Sequence, residues 1–330
     1  MRIAQLGAGR IGAMHAPILA SLLEPGALVV ADADPARAIA VAAEVGATAA
    51  SIEEAIAGAD ALVIAASSSA HPSLIRAGLA RGIPIFCEKP LAVDLPETRR
   101  LVEEIEASGI GFQLGFQRRF DAGYREARRL VESGELGRLY VLRLAGHDPE
   151  PPHEAYIPAS GGIFNDFSVH DFDVTRYLTG QEIVEVYADG DVLGFEMFAK
   201  YDDVDTAVAT LRLSEGTRAI LSCTRHDPLG YDIRTELFGS RDSVSVGLGP
   251  RTPMRSVEPG VPPPPGPAWK AFPERFADAY REELRAFLRV ASGEDESACT
   301  ARDGLEAVRV AVAATRSMRE HRPVKLAEVE

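Results

Sequence analysis

Through the first third of the chain, short apolar runs alternate with stretches of helical spacing. The runs at 2–6, 28–31, 61–66, 83–87 and 111–116 are bounded by small or polar residues, as buried strands of a parallel sheet are. Helical patterns lie between them at 14–23, 35–45, 51–57, 73–81 and 96–108. The alternation predicts a doubly wound α/β unit with a parallel sheet and helices on both faces. Pro84 should stand at a strand start or an edge, because it cannot donate to a ladder.

From Leu139 the pattern changes. Segments 139–146, 183–193, 204–213, 217–225, 233–238 and 242–247 have the alternation and β-branched or aromatic content of strands joined by short turns. Helices are expected at 122–133, 162–179, 273–291 and 301–320. Pro149-Glu150-Pro151-Pro152 and 250–267, where Pro262 to Pro265 are consecutive, read as extended loops. This half predicts an α+β domain with a mostly antiparallel, open-faced sheet.

The first strand runs directly into Gly7-Ala8-Gly9-Arg10-Ile11-Gly12 and then a helix. In that context Gly7 permits a tight turn, Gly9 lets a pyrophosphate approach the backbone, and Gly12 lets helix and strand pack closely. The N–H groups where Arg10 and Ile11 begin the helix then face the phosphates. The second strand ends in Asp32, 20 positions after Gly12, where a carboxylate accepts hydrogen bonds from ribose hydroxyls and repels a 2′-phosphate. That combination predicts a Rossmann dinucleotide-binding domain over 1–118, with NAD as the cofactor. Asp34 competes with Asp32, but Asp34-Pro35 reads better as a helix cap and first turn.

Ligands of open parallel sheets collect at the carboxyl ends of strands. Ser67 and His71 lie in a small polar loop at one such end, although His71 could equally be a helix-start residue. Glu88-Lys89-Pro90 lies at another, beside the expected nicotinamide. A Lys there can stabilise developing alkoxide charge, or simply pair with Glu88. A cis peptide before Pro90 is a further expectation.

The chain from 119 to 330 is expected to bind substrate and to oligomerise. Its centre is Gly161-Gly162-Ile163-Phe164-Asn165-Asp166-Phe167-Ser168-Val169-His170-Asp171-Phe172-Asp173. In a helix, Asp166 and His170 share one face about a turn apart. A carboxylate and an imidazole aimed into one pocket can bind an alcohol and take its proton. The bland alternative is a surface helix with solvated acids.

Composition narrows the class. A chain of 330 residues with 46% hydrophobic content can bury two cores. A net charge of −14 and a pI of 5.1 argue against a general nucleic-acid surface. No apolar run approaches the roughly 20 residues of a membrane span, and Met1 leads straight into a strand without a signal region. Cys87, Cys223 and Cys299 are odd in number and widely spaced, which points to a reducing compartment without disulfides or zinc. None of the histidines has a metal-ligand spacing. A cytoplasmic protein without metal is expected.

Together these pieces resemble the glucose-fructose oxidoreductase/inositol dehydrogenase/MocA family, and within it the inositol 2-dehydrogenases. The resemblance rests on GAGRIG at the amino end, ADAD after strand two, EKP at 88–90, GFQRRFD at 115–121 and GGIFNDFSVHDFD at 161–173. Asp205-Thr206-Ala207, Gly230-Tyr231-Asp232 and Phe238-Gly239-Ser240 extend it to nearly the whole chain. It implies an NAD-dependent dehydrogenase in which Lys89, Asp166 and His170 are catalytic. It implies that Arg119, Tyr231 and His147, with Asn165, line the substrate pocket. It also implies a homodimer or, better, a homotetramer acting on a cyclitol such as myo-inositol or on a pyranose. Gln117 and Asn165 depart from the usual Asn and Arg of relatives, so they bear on substrate identity. Rival readings are an NAD-dependent glycosidase and a non-catalytic NAD-binding sensor.

Overall fold

In the computed structural model, which describes residues 1–329, the first 120 residues alternate strand and helix as the pattern requires. The elements are β1 (Ile3–Leu6), α1 (Arg10–Leu22), β2 (Leu28–Ala31), α2 (Pro35–Val45), β3 (Thr48–Ala49), α3 (Ile52–Ala57), β4 (Ala61–Ile64), α4 (His71–Arg81), β5 (Ile85–Glu88), α5 (Leu95–Ser108) and β6 (Phe112–Gly115). All neighbours pair in parallel in the order β3-β2-β1-β4-β5-β6. The order reverses beside β1, which creates the crevice where dinucleotides bind in such sheets. β3 has only two residues, too short to leave a signature in the apolar pattern. Pro84 falls one residue before β5 and gives its carbonyl to Leu62 N–H, so its missing donor costs nothing.

Local chemistry explains several of the boundaries. Asp34 caps α2 through Ala36 N–H with Pro35 in the first turn, and Asp94 caps α5 through Glu97 N–H. Ser51 and Glu54 exchange side-chain and backbone bonds in a capping box at α3.

The chain from Asp121 builds a second unit. It contains α6 (Ala122–Glu132), β7 (Leu139–His147), a short α7 (Ile157–Ser160), α8 (Val169–Thr179), β8 (Ile183–Asp191), β9 (Thr206–Leu213), β10 (Arg218–Thr224), β11 (Asp232–Gly239), β12 (Ser243–Val246) and a short α9 (Phe272–Arg275). With β13 (Val324–Lys325) these strands form one sheet in the order β12-β11-β7-β10-β9-β8-β13. Only β7 and β10 pair in parallel, so the sheet is mixed and mostly antiparallel. Inward residues of β9 and β10, among them Ala209, Leu211, Ala219 and Leu221, are buried. On the opposite face Tyr140, Tyr187, Val208 and Ile220 are exposed.

The chain then contributes to the first unit again. α10 (Ala277–Ser292) is grouped with it over 278–305, and the residues of α11 (Ala301–Glu320) from 306 onward belong to the second. This differs from a single crossing at 118/119. The reason is hydrophobic: Leu284 and Phe287, both fully buried, join Ile3, Leu19, Val30, Val63 and Phe86 in one core cluster. Each such side chain contributes roughly 1.5–3 kcal/mol on burial, which binds α10 to that core. Among the described residues no helix is long and apolar enough to cross a membrane. Cys87, Cys223 and Cys299 are buried free thiols.

Candidate active site

In the first unit the glycine turn is built for an anion. Gly7 has φ +110°, and a Cβ there would come within 2.4 Å of Ala65 O. A Cβ on Gly12 would come within 2.0 Å of Gly7 O, so only glycine lets α1 begin this close to β1. At Gly9 a Cβ would meet no atom within 4 Å, which leaves the approach to the backbone open. The first turn of α1, from Arg10 and Ile11, carries no acidic residue and Gly9 offers no side-chain cap, so its N–H groups suit a phosphate. Gln5, a polar residue in an apolar strand, braces the turn by donating to Gly7 O at 3.0 Å and Gly12 O at 2.8 Å.

Asp32 is fixed by the same turn. Its Oδ2 accepts Ala8 N–H at 2.7 Å and its Oδ1 accepts Asp34 N–H at 2.8 Å. Ser67, at the end of β4, is exposed, with its hydroxyl 3.2 Å from that of Ser69.

The Lys89–Pro90 peptide is cis, as expected from X–Pro chemistry. His71 is the first residue of α4, the helix-start alternative of its two expected readings. It is 1% exposed, and its ring nitrogens lie 2.7 Å from Pro90 O and 3.2 Å from Ala66 O. Burial lowers its pKa against the opposing pull of those carbonyls and Glu88. A neutral ring tying the end of β4 to the Lys89–Pro90 turn makes His71 a strut for the cofactor loops, which revises its reading as a cofactor contact. Glu88 is likewise engaged: His15 Nε2 on α1 lies 2.6 Å from its Oε1.

Arg119 is a second revision. Gln117–Phe120 forms a 3₁₀ turn, and all four of its residues are buried. Arg119 Nη2 lies 3.0 Å from Asp303 and Nη1 donates to Ala298 O at 2.9 Å. Burial raises the Asp303 pKa, yet Arg119 and the Thr300 donors outweigh it and hold it at about 2. The Arg119 charge is thus satisfied inside the first unit.

In the second unit the helix expected over 162–179 is interrupted. Gly161 and Gly162, both with positive φ, lead into a π-helical turn at Phe164–Ser168, and regular α8 follows. Asp166 therefore sits in the wide turn while His170 lies in the first turn of α8, both partly buried. Such wide turns recur at functional sites because they re-aim one side chain without ending a helix. Phe164, Phe167, Val169 and Phe172 anchor the turn in the core.

The partners of Asp166 are specific. Tyr156 OH donates to Oδ1 at 2.8 Å, and Arg225 Nη2 lies 3.0 Å from Oδ2. Strand register brings in the others, because His147 at the end of β7 pairs with Thr224 of β10 and with Asp232 of β11. His147 Nε2 lies 3.2 Å from Ser222 Oγ, while Nδ1 faces Asp227 at 3.7 Å and Asp232 at 3.9 Å. Those three are a group of possible metal ligands among the described residues, but Arg234 already forks onto both Asp232 oxygens at 2.8 and 3.0 Å. Tyr231, next to Asp232, is buried with its ring edge-on to Phe276. A Cβ on Gly146 would come within 3.0 Å of the Phe167 ring, so the π turn packs over this end of β7. Asp166, His147 and Tyr231 are thereby gathered at one end of the sheet, with Asn165 beside Asp166. Tyr156, Arg225 and Asp148 join this end of the sheet without belonging to any motif that marks the site in the sequence.

Known proteins agree with this architecture. Residues 1–116 match the family model described as an oxidoreductase family with an NAD-binding Rossmann fold, and residues 124–245 match the GFO/IDH/MocA C-terminal domain. The chain is 44% identical to myo-inositol dehydrogenase Hyg17 of Streptomyces leeuwenhoekii, over 96% of this chain and 97% of that one. It is 36% identical to myo-inositol 2-dehydrogenase of Thermotoga maritima, over 100% and 99%. Among solved structures, scyllo-inositol dehydrogenase of Lactobacillus casei with bound NAD(H) and scyllo-inositol superposes with a TM-score of 0.87 at 29% identity, covering 99% of each chain. With both halves matched and relatives aligned end to end, the chain belongs to the GFO/IDH/MocA family of NAD-binding oxidoreductases.

Proposed function

We propose that the protein oxidises a ring hydroxyl of myo-inositol or a close cyclitol to the ketone, with NAD as the hydride acceptor. The observation that carries this reading is the polar end of the second unit's sheet, where Asp166, His147, Asn165 and Tyr231 can bind hydroxyls in several directions. A hydrocarbon alcohol would leave such groups unpaired at about 1–3 kcal/mol each. Relatives named as inositol dehydrogenases support the same substrate class.

Bound NAD would supply the site to which the hydride passes. The chain's residues do the rest. The Gly7–Gly12 turn and the start of α1 would hold the pyrophosphate, and Asp32 would accept from the ribose. Neutral His170 removes the hydroxyl proton, Lys89 stabilises the alkoxide-like oxygen, and Asp166 accepts from a substrate hydroxyl. We leave Arg119 out of the pocket, because Asp303 holds it.

The exposed Tyr140, Tyr187, Val208 and Ile220 lie on adjacent strands of one sheet face. Apolar faces of this kind are rarely left bare, which supports a symmetric dimer or tetramer covering them. A light-scattering mass near the 35.4 kDa of one chain would refute that. Buried free thiols fit a cytoplasmic setting.

A panel of inositol isomers, pyranoses and sugar acids with NAD⁺, followed by absorbance of the reduced cofactor, tests the reading. Reduction by a cyclitol supports it. Reduction by sugars or sugar acids alone would replace the substrate, and glycoside hydrolysis with no accumulating NADH would replace the reaction.

A further inference from the structure

We propose that Arg225 is a positioning residue for Asp166, fixing the direction and the charge of that carboxylate from the more buried side. The inference rests on the reading of Asp166 as an active-site group. It begins with strand parity. Ala219, Leu221, Cys223 and Arg225 alternate onto the inward face of β10 and its end, with exposures of 0%, 0%, 1% and 3%. A guanidinium in a row of core positions is costly unless its charge is matched.

The match is made by several carboxylates. Arg225 Nη2 lies 3.0 Å from Asp166 Oδ2, and Nη1 lies 3.6 Å from Asp148 Oδ2. Burial opposes the charge on Arg225, but Asp166, Asp148 and Asp203 together outweigh it and keep it protonated. The guanidinium also stacks toward the Phe167 ring at 5.5 Å, and Arg225 N–H donates to Asp205 O at 2.8 Å, so its backbone is held as well. Asp203 is anchored by the N–H groups of Ile163 and Val204, and burial raises its pKa.

Asp166 is therefore gripped from two sides. Tyr156 donates to Oδ1, and Arg225 meets Oδ2. A cation at this distance favours the ionised form of a carboxylate, and ionised is the form that accepts from a substrate hydroxyl. Without Arg225, Asp166, Asp148 and Asp203 would face one another with no guanidinium between them. One of them would take up a proton nearer neutrality, and Asp166 would lose the contact that sets its direction.

The experiment is a double-mutant cycle on the full-length protein. Arg225→Met and Arg225→Lys are made alone and in an Asp166→Asn background, with folding checked by circular dichroism. Arg225→Met should lower kcat by about 10²-fold, the scale of a misplaced active-site group, while KM for NAD is unchanged. Its acid limb in the pH profile of kcat/KM should move to higher pH. Arg225→Lys should recover part of the turnover, since one ammonium can serve only one carboxylate at a time. In the Asp166→Asn background either substitution should add little, because the residue through which Arg225 acts is already altered. If Arg225→Met does not fold, the Lys variant carries the same comparison.

Equal losses in both backgrounds, or a limb that still moves with Asn at 166, would mean that Arg225 does not act through Asp166. Full turnover in the Arg225 variants beside a crippled Asp166→Asn enzyme would overturn this inference alone. Full turnover of Asp166→Asn would overturn the reading of Asp166 and the inference with it.

Discussion

Asp32 Oδ2 accepts the backbone N–H of Ala8 at 2.7 Å, so the carboxylate that ends β2 is held against the middle of the glycine turn. Its other oxygen is held by Asp34 N–H, which prevents the side chain from swinging away. A 2′-phosphate arriving here would meet a fixed negative charge. Arg37, the basic residue nearby, is exposed and lies 3.4 Å from Asp34. NAD should therefore be strongly preferred over NADP, and Asp32→Ala should narrow the ratio of kcat/KM values. Equal use of both cofactors by the unaltered protein would refute the assignment.

Removing the groups proposed for proton transfer and oxyanion stabilisation should affect turnover and spare binding. His170→Ala and Lys89→Ala are each expected to lower kcat by about 10²–10⁴-fold, while calorimetric NAD affinity stays within a few-fold. Near-normal turnover in either variant would mean that another residue performs the step.

The elements were legible because each apolar run is bracketed by a strong signal. Examples are Gly7–Gly12 after β1, Asp34-Pro35 before α2 and the proline tract after β12. What escaped the sequence was long-range pairing. The family resemblance alone put Arg119 in the pocket, and nothing in GFQRRFD announces Asp303, which is remote in sequence. His71 was open between a cofactor contact and a helix start because its partners are backbone carbonyls of Ala66 and Pro90, which carry no residue-type signal. Arg225 was in principle visible. It continues the inward parity of Ala219, Leu221 and Cys223, and a charge at a core position announces a buried partner.

The Arg119–Asp303 pair should appear in stability and not in substrate affinity. Asp303 titrates at about 2, below its ordinary 3.8, so its ionised form is favoured by the fold. An acid with a depressed folded pKa contributes stability that is present above its unfolded value and lost as pH falls through the folded one. Asp303→Asn leaves a buried guanidinium short of its counter-charge and should cost about 3 kcal/mol at pH 7. The gap to the unaltered protein should close between about pH 4 and pH 2. Urea unfolding across that range, alongside KM for the polyol, separates the two roles. A raised KM with unchanged stability would return Arg119 to the pocket.

Glu283 on α10 has the opposite sign. It is fully buried, neither carboxyl oxygen has a hydrogen-bond partner among the described residues, and burial together with the charge on Glu88 pushes its pKa well above the ordinary 4.5. The folded chain therefore keeps this proton after the unfolded chain has lost it. Between those two pKa values the folded state binds more protons, and stability falls as pH rises, by at most about 1.4 kcal/mol per pH unit. Glu283→Gln preserves shape and removes the titration, so it should be neutral near pH 4.5 and increasingly stabilising toward pH 8. The comparison is made on urea midpoints at several pH values, with the unaltered protein alongside. A difference between the two proteins that stays constant from pH 4.5 to pH 8 would show that Glu283 does not hold a proton in the folded state.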